Sequence, residues 1–120
     1  MSNKTEKRKT GDRGERRTAL YLMLRGYLIL ERNYTYGHKE IDIIAKRGNT
    51  IAFVEVKTRR DVSSVRPQFA VSSEKQRNII IAAKGYCANK GISDKNIRFD
   101  IAEVPVKGKI NYIKNAFEGY

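Results

Sequence analysis

The chain has 120 residues, one domain's length, and its 40% hydrophobic content is enough to build a core. Lys and Arg number 25 against 13 Asp and Glu, and the net charge of +12 fits a phosphate-rich partner. An anionic membrane surface suits this charge less well, because no basic amphipathic helix with an aromatic face stands out and Trp is absent. No apolar run is long enough to span a bilayer, and the basic start of the chain has no apolar segment behind it, as a secretory signal would. Cys87 is the only cysteine, which excludes an internal disulfide and a cysteine metal site and suits a reducing cytosol.

Residues 1–10 are polar and charged and read as a flexible basic tail, leaving 11–120 as one domain. Ala19, Leu20, Leu22, Met23, Leu24 and Tyr27 recur at helical spacing up to Gly26, predicting a helix over about 12–25. From Tyr27 to Tyr36 the pattern becomes strand-like. Glu40 to Lys46 and Thr50 to Thr58 are two more strand-like runs, joined by the turn Arg47-Gly48-Asn49. Residues 59–71 read as a loop. A second helix opens at Ser72-Ser73-Glu74, with Ser73 and Gln76 at capping-box spacing and Ile79, Ile80, Ala83 and Cys87 as its apolar face up to Gly91. Strands follow over Ile97 to Val104 and Ile110 to Phe117. The order α-β-β-β-α-β-β predicts an α/β fold with a mixed sheet and helices packed on it.

The two middle strands carry the sharpest expectation. If Gly48-Asn49 is a two-residue hairpin turn, Arg47 faces Thr50, Asp42 faces Glu55 and Glu40 faces Lys57. Both faces of Ile51-Ala-Phe-Val are apolar, so this is a central strand covered on both sides. Two like charges opposed on a sheet destabilise it, and burial raises the cost, so the pair needs a cation. Clustered carboxylates suit a hard ion such as Mg²⁺ or Mn²⁺, which activates water for attack on phosphorus. Lys57 beside them would hold that water or steady developing negative charge. The bland reading is a salt bridge among Asp42, Glu55 and Lys57, or a partly solvated sheet end.

Glu15 shares the core-facing side of the first helix and is placed to reach the sheet, although an acid near a helix start is also favoured by the dipole. Lys75 and Gln76 sit in the first turn of the second helix, where free amides attract phosphate, but an ordinary exposed helix start would look the same. His38 reads as a solvated loop residue, and a lone histidine argues against zinc. Asp100 is a strand-interior acid with no role the sequence assigns. Cys87 is most simply a small core residue.

Taken in order, Gly14-Glu15, Gly26-Tyr27, Asn33-Tyr34, Glu40-Ile-Asp-Ile-Ile44, Phe53-Val-Glu-Val-Lys-Thr-Arg59, Lys75, Ala83 and Arg98-Phe-Asp100 resemble the YraN-like family of small bacterial proteins. That family looks like part of the restriction-endonuclease-like nuclease superfamily. The resemblance covers roughly residues 11–105 and implies an αβββαβ core with divalent-metal phosphodiester hydrolysis. By position it makes Asp42 and Glu55 metal ligands, the Val56 carbonyl an extra ligand, Lys57 the catalytic lysine and Glu15 the helix-borne acid. Archaeal Holliday-junction resolvases share this layout, so branched DNA is a conceivable substrate. Two departures stand out: Ile41 precedes Asp42 where the superfamily often has Pro, and Lys39 replaces a Gly usual in the family, adding a candidate phosphate contact.

The expected function is a Mg²⁺- or Mn²⁺-dependent endonuclease acting on structured DNA. Its alternative is a non-catalytic nucleic-acid-binding module that keeps the fold. The charge also permits RNA, for instance in an assembly role. The basic tail, Arg16, Arg17, Lys39, Arg59, Arg60, Arg66, Lys75, Gln76 and Arg77 would hold the backbone without reading sequence. A homodimer, by analogy, would let two sites cut two strands.

Overall fold

In the computed structural model the described residues are 4–59 and 71–119, with side chains from residue 11 onward. Arg60, Arg66 and most of the 59–71 loop lie outside them. Helix α1 spans Lys4–Met23, and three strands follow: β1 Leu28–Tyr36, β2 Lys39–Arg47 and β3 Thr50–Arg59. Helix α2 is Ser73–Lys90, and β4 Asn96–Pro105 and β5 Asn111–Phe117 complete the sheet. The strand order is β1-β2-β3-β4-β5, with β3 and β4 parallel and every other pair antiparallel. Parallel neighbours need a crossover, and α2 supplies it.

The hairpin register is the one the sequence predicts. Arg47 faces Thr50, Ala45 faces Ala52 and Ile43 faces Val54. Gly48 takes a positive φ of 58° at the turn, a conformation that favours glycine. Side chains on β3 and β4 alternate between two cores. Ile51, Phe53, Phe99 and Ile101 pack with Ile79, Ala82, Ala83 and Tyr86 of α2. Ala52, Val54, Ala102 and Val104 pack with Ala19 and Leu22 of α1. The helices thus cover opposite faces, which is why β3 has no polar residue between Thr50 and Glu55.

Three expectations change. Helix α1 begins at Lys4, well before residue 12, so the backbone of 4–10 is helical where the sequence suggested a flexible tail. Lys, Glu and Arg are good helix formers, and no Gly or Pro interrupts that stretch. The cap of α2 is Ser72, whose Oγ accepts from the Lys75 amide at 3.1 Å, so Ser73 is the first helical residue and no Ser73–Gln76 box forms. The apolar face of α2 is Ile79, Ala82, Ala83 and Tyr86, with Ile80 and Cys87 at its border. Among the described residues no helix is long and apolar enough to cross a membrane.

Candidate nuclease site

The site forms at the end of the sheet away from the Gly48 turn, at the C-terminal ends of β3 and β4. The regular β2–β3 ladder reaches Ile43–Val54. Beyond it, Asp42 replaces a backbone partner: its Oδ2 accepts the Val56 amide at 2.8 Å. The strands therefore part at the two acids instead of continuing a flat Asp42–Glu55 and Glu40–Lys57 pairing. A backbone amide fixes the Asp42 carboxylate, so its position does not depend on a flexible rotamer.

Glu55 follows Phe53 by two residues and so faces α2. It is 5% exposed, and its Oε2 is buried without a hydrogen-bond partner. The Lys75 ammonium, in the first turn of α2, stands 3.9 Å from that oxygen, an ion-pair distance beyond hydrogen-bond reach. Burial first, then the charge of Asp42, push the Glu55 carboxyl up to about 8, while Lys75 and Lys57 oppose the rise. Lys57 lies half-buried on the same face.

Glu15 approaches from α1. Burial and then Asp42 raise its carboxyl above the ordinary value, and Asn33 and Arg32 pull it back. Arg32 Nη2 lies 3.5 Å from Glu15 Oε2. Gly14 permits this approach. A Cβ at that position would sit 2.6 Å from Thr58 Oγ1 and 3.5 Å from Val56 Cγ1, so a side chain there must displace Thr58 or lift α1 from β3. The Gly14 carbonyl accepts the Thr18 hydroxyl at 2.7 Å.

Asp42, Glu55, Lys57 and Lys75 therefore converge, with Val56 among them and Glu15 beside Asp42. Arg16 and Arg77 are exposed, and Lys39 is half-buried at the start of β2. Gln76 uses its side-chain amide on the Val71 carbonyl at 3.0 Å, a local bond at the foot of α2. Arg17 is similarly engaged, donating to the carbonyls of Pro105 and Gly108 at 2.6 Å each. His38 is exposed in the β1–β2 turn.

Some participants have no clear sequence signal. Arg32 and Asn33 flank Glu15, and Asn33 adopts φ 53° in an edge strand whose register shifts nearby, between Ile29 and Glu31. Glu103 on β4 faces Lys57 across the parallel ladder. Asp100, unassigned by sequence, is fully buried and satisfied: it accepts Arg98 through two nitrogens, the Tyr112 hydroxyl at 2.6 Å and the Asn115 amide at 3.0 Å. Arg98 also donates to the Tyr27 hydroxyl, so this network ties the α1–β1 connection, β4 and β5 together.

The donor set fits a hard divalent ion. A buried carboxylate oxygen without a partner sits beside a second carboxylate, and a nearby carbonyl and waters would complete a sphere of the kind Mg²⁺ prefers. Among the described residues no group of three or more His, Cys, Asp or Glu side chains is arranged around one point, so Glu15 stands outside such a pair.

Comparison with known proteins bears on the family and the fold. The chain is 48% identical to a UPF0102 protein of Alkaliphilus metalliredigens over 109 residues, covering 89% of this chain and 96% of that one. A UPF0102 protein of Syntrophus aciditrophicus is 44% identical, covering 95% and 92%. Among solved structures, Hjc, a Holliday junction resolvase of Archaeoglobus fulgidus, superposes with a TM-score of 0.54 at 18% identity, over 85% of this chain and 74% of that one. That likeness establishes the restriction-endonuclease-like fold. The family model described as Uncharacterised protein family UPF0102 matches residues 14–104, and the chain belongs to that YraN-like family.

Proposed function

We propose that this protein is a divalent-metal-dependent endonuclease acting on DNA, with branched or otherwise structured DNA as its substrate. The observation that carries the reading is Glu55. A nearly buried acid, one oxygen unpartnered and a second carboxylate alongside, is costly in a protein that never binds a cation there. Asp42 and Glu55 would hold Mg²⁺ or Mn²⁺, with the Val56 carbonyl as a further ligand. Bound there, the ion would supply a Lewis acid for a phosphate oxygen and a more acidic water.

The remaining roles belong to the chain's own groups. The Val56 amide keeps Asp42 oriented. Lys57, on the face of Glu55, donates to an attacking water or to a phosphate oxygen that gains negative charge. Glu15 neighbours Asp42 and Arg32 on the α1 side and positions that edge of the site. Lys75 and the open amides of the α2 start attract a backbone phosphate, while Arg16, Lys39, Arg59 and Arg77 extend the basic surface. Phosphate contacts of this kind carry no sequence information, so sequence preference is weak.

One observation favours a second reading, a non-catalytic nucleic-acid-binding module. Lys75 already stands 3.9 Å from Glu55 and supplies part of the positive charge the acids require. The same basic surface would then serve DNA or RNA. Incubation of wild type and of Asp42→Ala, Glu55→Ala and Lys57→Ala with linear, nicked, flapped and four-way DNAs separates the two. An endonuclease cuts in Mg²⁺ or Mn²⁺ and loses that activity in each variant. A pure binder cuts nothing, and its salt-sensitive affinity survives the substitutions.

A further inference from the structure

Glu103 is a second nearly buried acid at the same end of the sheet, and the roles above make no use of it. It is 8% exposed, and its Oε2 is buried without a hydrogen-bond partner. Period-two alternation along β4 puts it on the α2 face with Phe99 and Ile101, and the parallel register sets it opposite Lys57. The Arg59 guanidinium reaches it from one pleat further along β3, with Nε 3.6 Å from Oε2. Glu55, Lys57, Arg59 and Glu103 thus occupy one patch of one sheet face, acids on the inside and bases toward the rim.

Stability alone is a weak reason for such a pair. Burying a carboxylate against a guanidinium roughly balances desolvation against attraction, and an apolar pair of similar size often does as well. What the pair does achieve is geometric. Arg59 is long and rotamer-rich, and a buried anion beneath it restricts where the planar fork can point. The fork then stands beside Lys57, at the rim of the proposed metal site, where a DNA phosphate would arrive.

We propose that Glu103 is a positioning residue: its buried carboxylate holds the Arg59 guanidinium at the rim of the Asp42–Glu55–Lys57 site as a clamp for a DNA backbone phosphate. This rests on the endonuclease-fold reading of the same site. It concerns binding of the phosphate backbone rather than the chemical step, and it does not require a bound metal.

Simple charge counting predicts the opposite of positioning, which makes the test sharp. Removing a negative charge from a DNA-binding face should tighten binding. Positioning predicts that Glu103→Gln weakens it. The experiment is a salt titration of the full chain binding a fluorescently labelled synthetic four-way DNA junction in EDTA, for wild type, Glu103→Gln, Arg59→Ala, Arg59→Lys and the Arg59→Ala/Glu103→Gln double variant. The expected result is a several-fold loss, ~3- to 10-fold, in Glu103→Gln and Arg59→Ala, on the scale of one backbone contact. The double variant is no weaker than Arg59→Ala alone, and Arg59→Ala lowers the salt slope by ~1. Arg59→Lys keeps the charge but loses the fork and shows a similar loss, which holds the test open should Glu103→Gln fold poorly. Binding of Glu103→Gln as tight as wild type or tighter overturns the proposal, and so do additive losses in the double variant or full affinity in Arg59→Lys. If wild type itself does not bind the junction, the underlying nucleic-acid reading falls as well, an outcome distinct from an unaffected Glu103→Gln.

Discussion

The Asp42 carboxylate accepts the Val56 amide hydrogen at 2.8 Å, and this one bond ends the β-ladder where the candidate site begins. It stops the β2–β3 pairing one residue short of the acids, fixes one carboxylate by the backbone and leaves Glu55 buried beside it. Its removal has a predictable cost. Asp42→Ala orphans the Val56 amide and lowers stability by ~1–3 kcal/mol. Asp42→Asn keeps an acceptor for that amide and removes the charge that raises Glu55. It should melt near wild type while losing Mg²⁺-dependent cleavage by ~10²-fold or more. Thermal melts and cleavage rates on the same preparations check both halves.

The pH dependence follows from Glu55. Its folded-state carboxyl is pushed up to about 8, above an ordinary value of 4.5, by burial and by Asp42. The folded protein therefore holds a proton that the unfolded chain releases between those values. The contribution to stability is full below pH 4.5 and is lost as pH rises through about 8. Metal-free melts should show this decline, and Glu55→Gln should flatten it. A divalent ion competes with that proton, so Mg²⁺ should raise the melting temperature more at pH 8.5 than at pH 6.5, values set on either side of about 8 and read by calorimetric melts with and without the ion.

Gly14 makes a prediction about how α1 meets the site. A methyl group there meets Thr58 Oγ1 at 2.6 Å, so Gly14→Ala must lift the helix or turn Thr58. The overpacking costs ~1–3 kcal/mol, against a gain of up to ~1 kcal/mol from the better helix former. Thr58→Ala removes the obstructing oxygen. The Gly14→Ala/Thr58→Ala pair should be at least as stable as Thr58→Ala alone, and denaturant melts of the four proteins test this.

The Asp100 network should be separable from the site. Asp100 is fully buried and carries the Arg98 guanidinium, the Tyr112 hydroxyl and the Asn115 amide. Asp100→Ala leaves Arg98 without its buried partner and should cost ~3–5 kcal/mol. Divalent-ion affinity of the folded fraction should not change, as measured by calorimetric titration below the variant's melting temperature.

Much of this was legible in local chemistry. The Gly48-Asn49 turn fixes the hairpin register as far as Ile43 and Val54, which brings Asp42 and Glu55 to the same end of the hairpin, although the strands part there instead of pairing the two acids. The double-sided apolar run from Ile51 to Val54 marks β3 as central and its one acid, Glu55, as buried. What the sequence could not supply depends on distant parts of the chain. The contact of Lys75 with Glu55 requires the start of α2 to pack on the sheet, and the facing of Glu103 and Lys57 requires a parallel register that no short loop sets. The Ser72 cap was missed because two adjacent serines both satisfy the local pattern, and the end of the preceding loop decides between them. Arg98 and Asp100, two apart on one strand, do share a face in the sequence, but their partners come from distant parts of the chain, Tyr27 from the α1–β1 connection and Tyr112 from β5.

Asp42, Glu55 and Lys57 are proposed to form a cation-dependent catalytic site. The most direct measurement is cleavage of a structured-DNA panel, including a four-way junction, by wild type and Lys57→Ala across a Mg²⁺ and Mn²⁺ titration. Cleavage by wild type should rise with metal and be absent in Lys57→Ala, with junction binding retained. A panel left intact by wild type at every metal concentration, or cut equally by Lys57→Ala, contradicts it.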